Sequence, residues 1–178
     1  QQVGMKPVLV HGGGPEIDKM LKKLNKEAIF VNGLRYTDDE TMEIVQMVLA
    51  GKVNKDLVEL FARMGGKAMG ICGSDGGLFM AKRMRKNGQD LGLVGDIQEV
   101  KTDAIRVLLD NGIMPVIASI ALRADEGSGF YNVNADSAST GCSRCVQNNA
   151  RSSTYETSGR CSHRHRVRRR NGQRLTGS

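Results

Sequence analysis

Residues 8–11, VLVH, form an apolar run that breaks into three consecutive glycines and then a proline-led stretch, PEIDKMLKKL. Glycines in a row are entropically costly to order, so a fold tolerates them only where the backbone turns tightly or approaches a ligand. A short apolar run bounded by glycine fits a buried strand of a parallel sheet. Pro15 suits the first position of a helix, and Ile17, Met20, Leu21 and Leu24 follow at i, i+3, i+4 and i+7. The segment therefore reads as strand, glycine turn and amphipathic helix.

The same alternation continues downstream. TDDE at 37–40 is a capping-box pattern with Thr37 as the cap. It opens a predicted helix with Met42, Val45, Val48 and Leu49 on one face, either as plain core or as a face for a partner subunit. Gly51 is expected to interrupt that helix, and a second one follows over 52–64. Strand-like segments flank the SDGG turn at 74–77, and Asn87-Gly88 marks a hairpin turn. Thr102 is placed to cap a helix carrying Ile105, Val107, Leu108 and Leu109, ended by Asn111-Gly112. IMPVIASI (113–120) reads as another buried strand. Sheet and helix alternate, which predicts an α/β domain with a largely parallel sheet.

After Thr140 the order stops. The net charge of +7 belongs to residues 141–178, which hold nine Arg, no Lys and one Glu. Residues 1–140 carry 17 Lys plus Arg against 18 Asp plus Glu and are nearly neutral. The tail has few large apolar residues and no periodicity, so it is expected to be disordered. The chain thus divides at 140 into an α/β lobe and an Arg/Ser/Cys-rich tail. It shows no apolar run long enough to span a membrane and no signal-peptide pattern at its start, which predicts a cytoplasmic location.

The glycine turn fits neither the dinucleotide fingerprint, since GGGPEI lacks the last glycine, nor a P-loop, since Pro15 and Glu16 stand where Lys and Ser or Thr are needed. Two readings stand: a plain tight turn, or bare amides at a helix N-terminus that receive an anion. Arg35, presented by the Asn32-Gly33 turn, is either solvated or holds a carboxylate through both ends of its guanidinium. Asn132 and Asn134 alternate along an extended segment and share one side, with Asp136 two residues further. Each of the three is either a turn or cap residue or part of a site. Together these groups suggest a small amino-acid-like ligand.

The stretches KPVLVHGGGPEID, FVNGLRYTDDETMEIVQMVLAGKVNKDLV, GDIQEV, NGIMPVIASI and YNVNAD, in that order, resemble the acetylglutamate kinases of the amino-acid kinase family. The resemblance implies an open αβα sandwich, here represented by its N-terminal lobe. It implies ATP with Mg2+ as phosphoryl donor and the γ-carboxylate of N-acetyl-L-glutamate as acceptor, in arginine biosynthesis, within a homo-oligomer. It implies that Gly13 and Gly14, with Gly12 in the same turn, contact substrate. Arg35 would hold the α-carboxylate, Asn132 the amide region with Asn134 beside it, and Asp136 would organise the catalytic lysines. Those lysines have no counterpart in this sequence, so the chain as written is expected to have little or no kinase activity and, if residues 1–140 fold, only weak acetylglutamate binding.

The tail departs from the family after NADSAST, and its Arg, Ser and Gly content leads to the expectation of an out-of-frame translation from that point. Two alternatives are non-enzymatic. One is a zinc site from Cys142, Cys145, Cys161 and His163 or His165. The other is a nucleic-acid arm from RHRVRRR at 164–170.

Overall fold

The computed structural model describes residues 6–31, 33–125, 127–151 and 160–162, the last two stretches as backbone alone from 144 onward. Strand β1 (Leu9–His11) leads through the glycines into α1 (Gly14–Lys23), with Gly13 as N-cap and Pro15 in the first turn. A minimal ribbon of β2 (Phe30–Val31) and β3 (Leu34–Arg35) follows, then α2 (Asp39–Gln46). A π-helical segment, Met47–Val53, joins α2 directly to α3 (Asn54–Arg63). Next come β4 (Ala68–Cys72), the hairpin of β5 (Phe79–Lys86) and β6 (Gln89–Lys101), α4 (Asp103–Asp110), β7 (Met114–Ala118), β8 (Ile120–Arg123), β9 (Phe130–Val133), α5 (Ala135–Arg151) and β10 (Arg160–Ser162).

The sheet is not one largely parallel sheet. β1, β7 and β4 form a parallel three-stranded sheet with β7 central, while β10, β6, β5, β8 and β9 form a mixed sheet. The reason lies in local turn chemistry. Asn87 (φ 53°) and Gly88 (φ 77°) both adopt positive φ, the geometry of a tight two-residue hairpin, so β5 and β6 pair antiparallel. The SDGG turn is no hairpin, since β4 and β5 belong to different sheets. β7 is buried along its whole length, whereas β1 lies at a sheet edge and is only half-buried before His11.

Two apolar clusters fill the space between sheets and helices. One holds Phe79, Ile97, Ile105, Ile117, Tyr131 and Cys142; the other holds Ile17, Leu21, Met42, Val45, Val48, Leu49 and Ile120. Met42, Val45, Val48 and Leu49 therefore face this chain's own core rather than a partner subunit. Leu24 and Val107 fall outside the buried stripes and are exposed, Leu24 because the helix has ended at its own position.

Three further expectations are corrected. The cap of α2 is Asp38, whose Oδ1 accepts from the Thr41 N–H at 2.7 Å, while Thr37 is fully buried in a bridge to Gly92. Gly51 does not break the helix, because the wider π-turn absorbs it. Thr102 occupies the cap position of α4 without donating or accepting a side-chain cap bond. The compositional boundary at 140 falls inside α5, which runs on to Arg151. Among the described residues, no helix is long and apolar enough to cross a membrane.

Candidate functional site

The C-terminal end of β1, the N-terminus of α1 and the N-terminus of α5 converge on one cavity of about 220 Å³. Its walls include Gly12, Gly13, Gly14, Arg35, Asn132 and Asn134, residues that sequence reasoning had placed apart along the chain. Asp136 is not among them; it is exposed one residue beyond Ala135, which does line the cavity. Asn32 lies outside the described residues.

Each group is held by identifiable neighbours. Gly13 is nearly extended in φ (−179°, ψ 42°), and its carbonyl accepts from Ile17 N–H at 3.0 Å to open α1. Among the described residues no group accepts from the Gly13 N–H. Helix N-termini present such orphan donors, with a positive dipole end behind them. A Cβ on Gly13 would lie 2.8 Å from Leu49 Cδ2 and 3.1 Å from Val53 Cγ2, whereas one on Gly14 would meet nothing within 4 Å. Packing thus explains one glycine and leaves the open space beside Gly14 free.

Arg35 is the one cation in the described walls, with a side chain only 8% exposed. Its Nη2 stands 2.7 Å from Asp18 Oδ1, close but poorly aligned, since that oxygen makes no hydrogen bond of good geometry. Nη2 also donates weakly to Gly14 O at 3.4 Å, and the guanidinium carbon sits 4.8 Å from the centre of the Phe30 ring. Nη1 is buried without an acceptor among the described residues. Leaving a charged donor in that state costs free energy, which a ligand's carboxylate would recover.

β9 supplies the amides. Tyr131 and Val133 point into the core, so Asn132 faces the cavity side, where its Nδ2 reaches Thr37 Oγ1 at 3.4 Å. Asn134 Oδ1 accepts from Asp136 N–H at 2.8 Å and Ser137 N–H at 3.1 Å, capping α5 at the cavity's edge. A wider groove lined by Lys82, Arg83, Arg85 and Lys86 adjoins and shares Leu34, Met84 and Asn134. Its cations raise the potential for anions near the mouth.

Several walls were not anticipated. Buried Ser119 and the apolar Leu34, Met84 and Val94 come from separate strands or their ends, and no local spacing links them to the glycines. Cys142, a candidate zinc ligand, is 2% exposed in the core, and burial pushes its thiol up to about 12. It is packed as an apolar group. The side chains of Cys145, Cys161, His163, His165 and 164–170 lie outside the described residues.

A glycine turn feeding a helix at the end of a parallel strand, faced by a second helix N-terminus and a buried Arg, defines a class. The chain belongs to the amino acid kinase family, whose profile matches residues 1–149. It is similar to the acetylglutamate kinase of Clostridium kluyveri, 58% identical over 134 residues, covering 75% of this chain and 46% of that one. The acetylglutamate kinase of Clostridium beijerinckii is 52% identical over 134 residues, covering 75% and 46%. The chain thus spans less than half the length of these relatives. Among solved structures, smu.665 of Streptococcus mutans UA159 superposes with a TM-score of 0.74 at 26% identity, over 82% of this chain and 58% of that one.

Proposed function

We propose that the described lobe is the acetylglutamate-binding part of an acetylglutamate kinase, a cytoplasmic homo-oligomer. The whole enzyme would transfer a phosphoryl group from ATP to the γ-carboxylate of N-acetyl-L-glutamate in arginine biosynthesis. What supports this reading is a pair of donors at one cavity that have no acceptor among the described residues, the buried Arg35 Nη1 and the Gly13 N–H. The cavity is also smaller than the roughly 300–1,000 Å³ of drug-sized sites, as an amino-acid-sized ligand requires.

In this reading Arg35 grips the α-carboxylate, and the amides of Gly12, Gly13 and Gly14 face the γ-carboxylate and the phosphoryl oxygens that carry negative charge during transfer. Asn132 pairs with the acetamido group, and Asn134 fixes the N-terminus of α5. Phosphoryl transfer asks chiefly for positioning and charge cancellation, so amides already fixed by the fold lower the barrier without reorganising. Asp136, exposed at the start of α5, is proposed to orient the cationic groups of the whole enzyme. Among the described residues no set of three His, Cys, Asp or Glu side chains could hold a metal ion. Mg2+ would reach the whole enzyme on the ATP phosphates, and no step runs through it here.

Isothermal titration of the 178-residue chain with N-acetyl-L-glutamate tests the proposal. Saturable uptake is expected, with L-glutamate binding more weakly because it adds an ammonium where the site offers amides. No uptake, or equal uptake of both, would overturn it.

A further inference from the structure

Behind the glycine turn lies a buried polar pair with no part in the ligand contacts above. His11 is 8% exposed and Asn54 is 1% exposed. The Asn54 amide nitrogen stands 2.9 Å from Val116 O, 3.3 Å from Ile71 O and 3.1 Å from His11 Nε2. Two of these neighbours are carbonyls, and Asn54 Oδ1 faces the Lys55 ammonium at 3.1 Å, so the amide's orientation is fixed. His11 Nε2 must then accept, which puts the ring hydrogen on Nδ1, where it donates to Gly12 O at 3.0 Å. Burial lowers the pKa of His11 and keeps the ring neutral. Ionisable groups on the packed elements are Lys55 on α3, Cys72 and Asp75 at the end of β4, and Asp136 at the start of α5; β7 contributes carbonyls.

The Gly12 carbonyl and the Gly13 N–H belong to one planar peptide unit and point opposite ways. Anchoring the carbonyl on the ring fixes the direction of the N–H. The π-helical segment reinforces the link, because it packs Leu49 and Val53 against Gly13 and delivers Asn54 at its end. Gly70 keeps room for the device, since a Cβ there would overlap Asn54 Oδ1 at 1.8 Å. π-turns inside helices often mark functional positions.

We propose that Asn54, acting through a neutral His11, is the positioning residue that sets the Gly12–Gly13 peptide for ligand capture. This rests on reading the cavity as a carboxylate site. Two arms test it. In NMR of the 15N-labelled chain, His11 is expected as the Nδ1–H tautomer, and the Gly13 amide should titrate with the ring at a midpoint below the ordinary 6.5. An Nε2–H ring, or a Gly13 amide indifferent to ring protonation, overturns the proposal without any variant. In Asn54→Asp the carboxylate accepts from a charged ring that still donates to Gly12, so the midpoint should rise above 6.5. Gly70→Ala, which displaces Asn54, should weaken N-acetyl-L-glutamate uptake about tenfold or more. Unchanged affinity in a folded Gly70→Ala chain overturns the positioning role. If the unaltered chain takes up no acetylglutamate, the kinase reading falls, and the tautomer and titration still decide whether ring and turn are linked.

Discussion

Replacing Arg35 by Met separates what the guanidinium does for the fold from what it does for a ligand. In the unliganded chain the side chain is 8% exposed, holds Asp18 at 2.7 Å with poor alignment and leaves Nη1 without an acceptor among the described residues. A buried donor left unpaired costs about 1–3 kcal/mol, and an ion pair with a half-exposed partner returns about 0–1 kcal/mol. Met keeps an unbranched stem against Phe30 and removes both terms. Folding stability from urea denaturation should therefore hold level or rise, by up to about 3 kcal/mol. Uptake of acetylglutamate should fall instead. Charged hydrogen bonds contribute about 1.5–3 kcal/mol each, so a two-bond grip of about 3 kcal/mol corresponds to about 150-fold in Kd. A folding loss above about 3 kcal/mol, the scale of breaking a buried pair, would make Arg35 a structural keystone and refute this account. Unchanged uptake would refute it from the other side.

Asp38→Ala should cost about 1 kcal/mol in thermal unfolding, as expected for a lost helix cap. Hydrogen bonds from Thr41 and the Lys26 ammonium hold the Asp38 carboxyl at about 2 against an ordinary 3.8, so its contribution is present above 3.8 and is lost as pH falls towards 2. His11 works over a higher window: its lowered pKa means the unfolded chain binds more protons, and stability should fall as pH drops below 6.5. Gly92 has φ +71°, and a Cβ there would lie 2.2 Å from Thr37 O, so Gly92→Ala should cost about 2 kcal/mol or more by urea titration. Brief iodoacetamide treatment of the native chain, mapped by mass spectrometry, should leave Cys142 unmodified, and full labelling there would contradict its core placement.

Much of the fold was legible where one short segment carried its own instructions. The apolar run, the glycines and Pro15 specify strand, turn and helix without outside help, and Asn87-Gly88 specifies a hairpin by its positive φ values. What the sequence could not reveal was partnership. Nothing in residues 68–86 says that β4 and β5 join different sheets, because the choice depends on β7 lying between β1 and β4. The capping-box pattern misled for a similar reason. Thr37 is drawn into a bridge with Gly92, 55 positions away, leaving Asp38 as the cap.

The three glycines carry that distinction into the site itself. Periodicity and spacing treat them as one feature, yet each answers to a different constraint. Gly12 would place a Cβ at an ordinary 3.6 Å from Ala135, Gly13 is pressed by Leu49 and Val53, and Gly14 meets nothing. Only Gly13 is demanded by the protein's own packing, and the partners that demand it arrive from a π-turn no sequence pattern announced. Gly14 is a helical residue directly before Pro15, where the proline ring opposes a Cβ in that conformation, so a local constraint joins the open space of the cavity in favouring glycine. Gly14→Ala should then destabilise the unliganded fold by about 1 kcal/mol and also weaken acetylglutamate uptake. A folded variant that bound as tightly as before would remove the ligand from the explanation of that glycine.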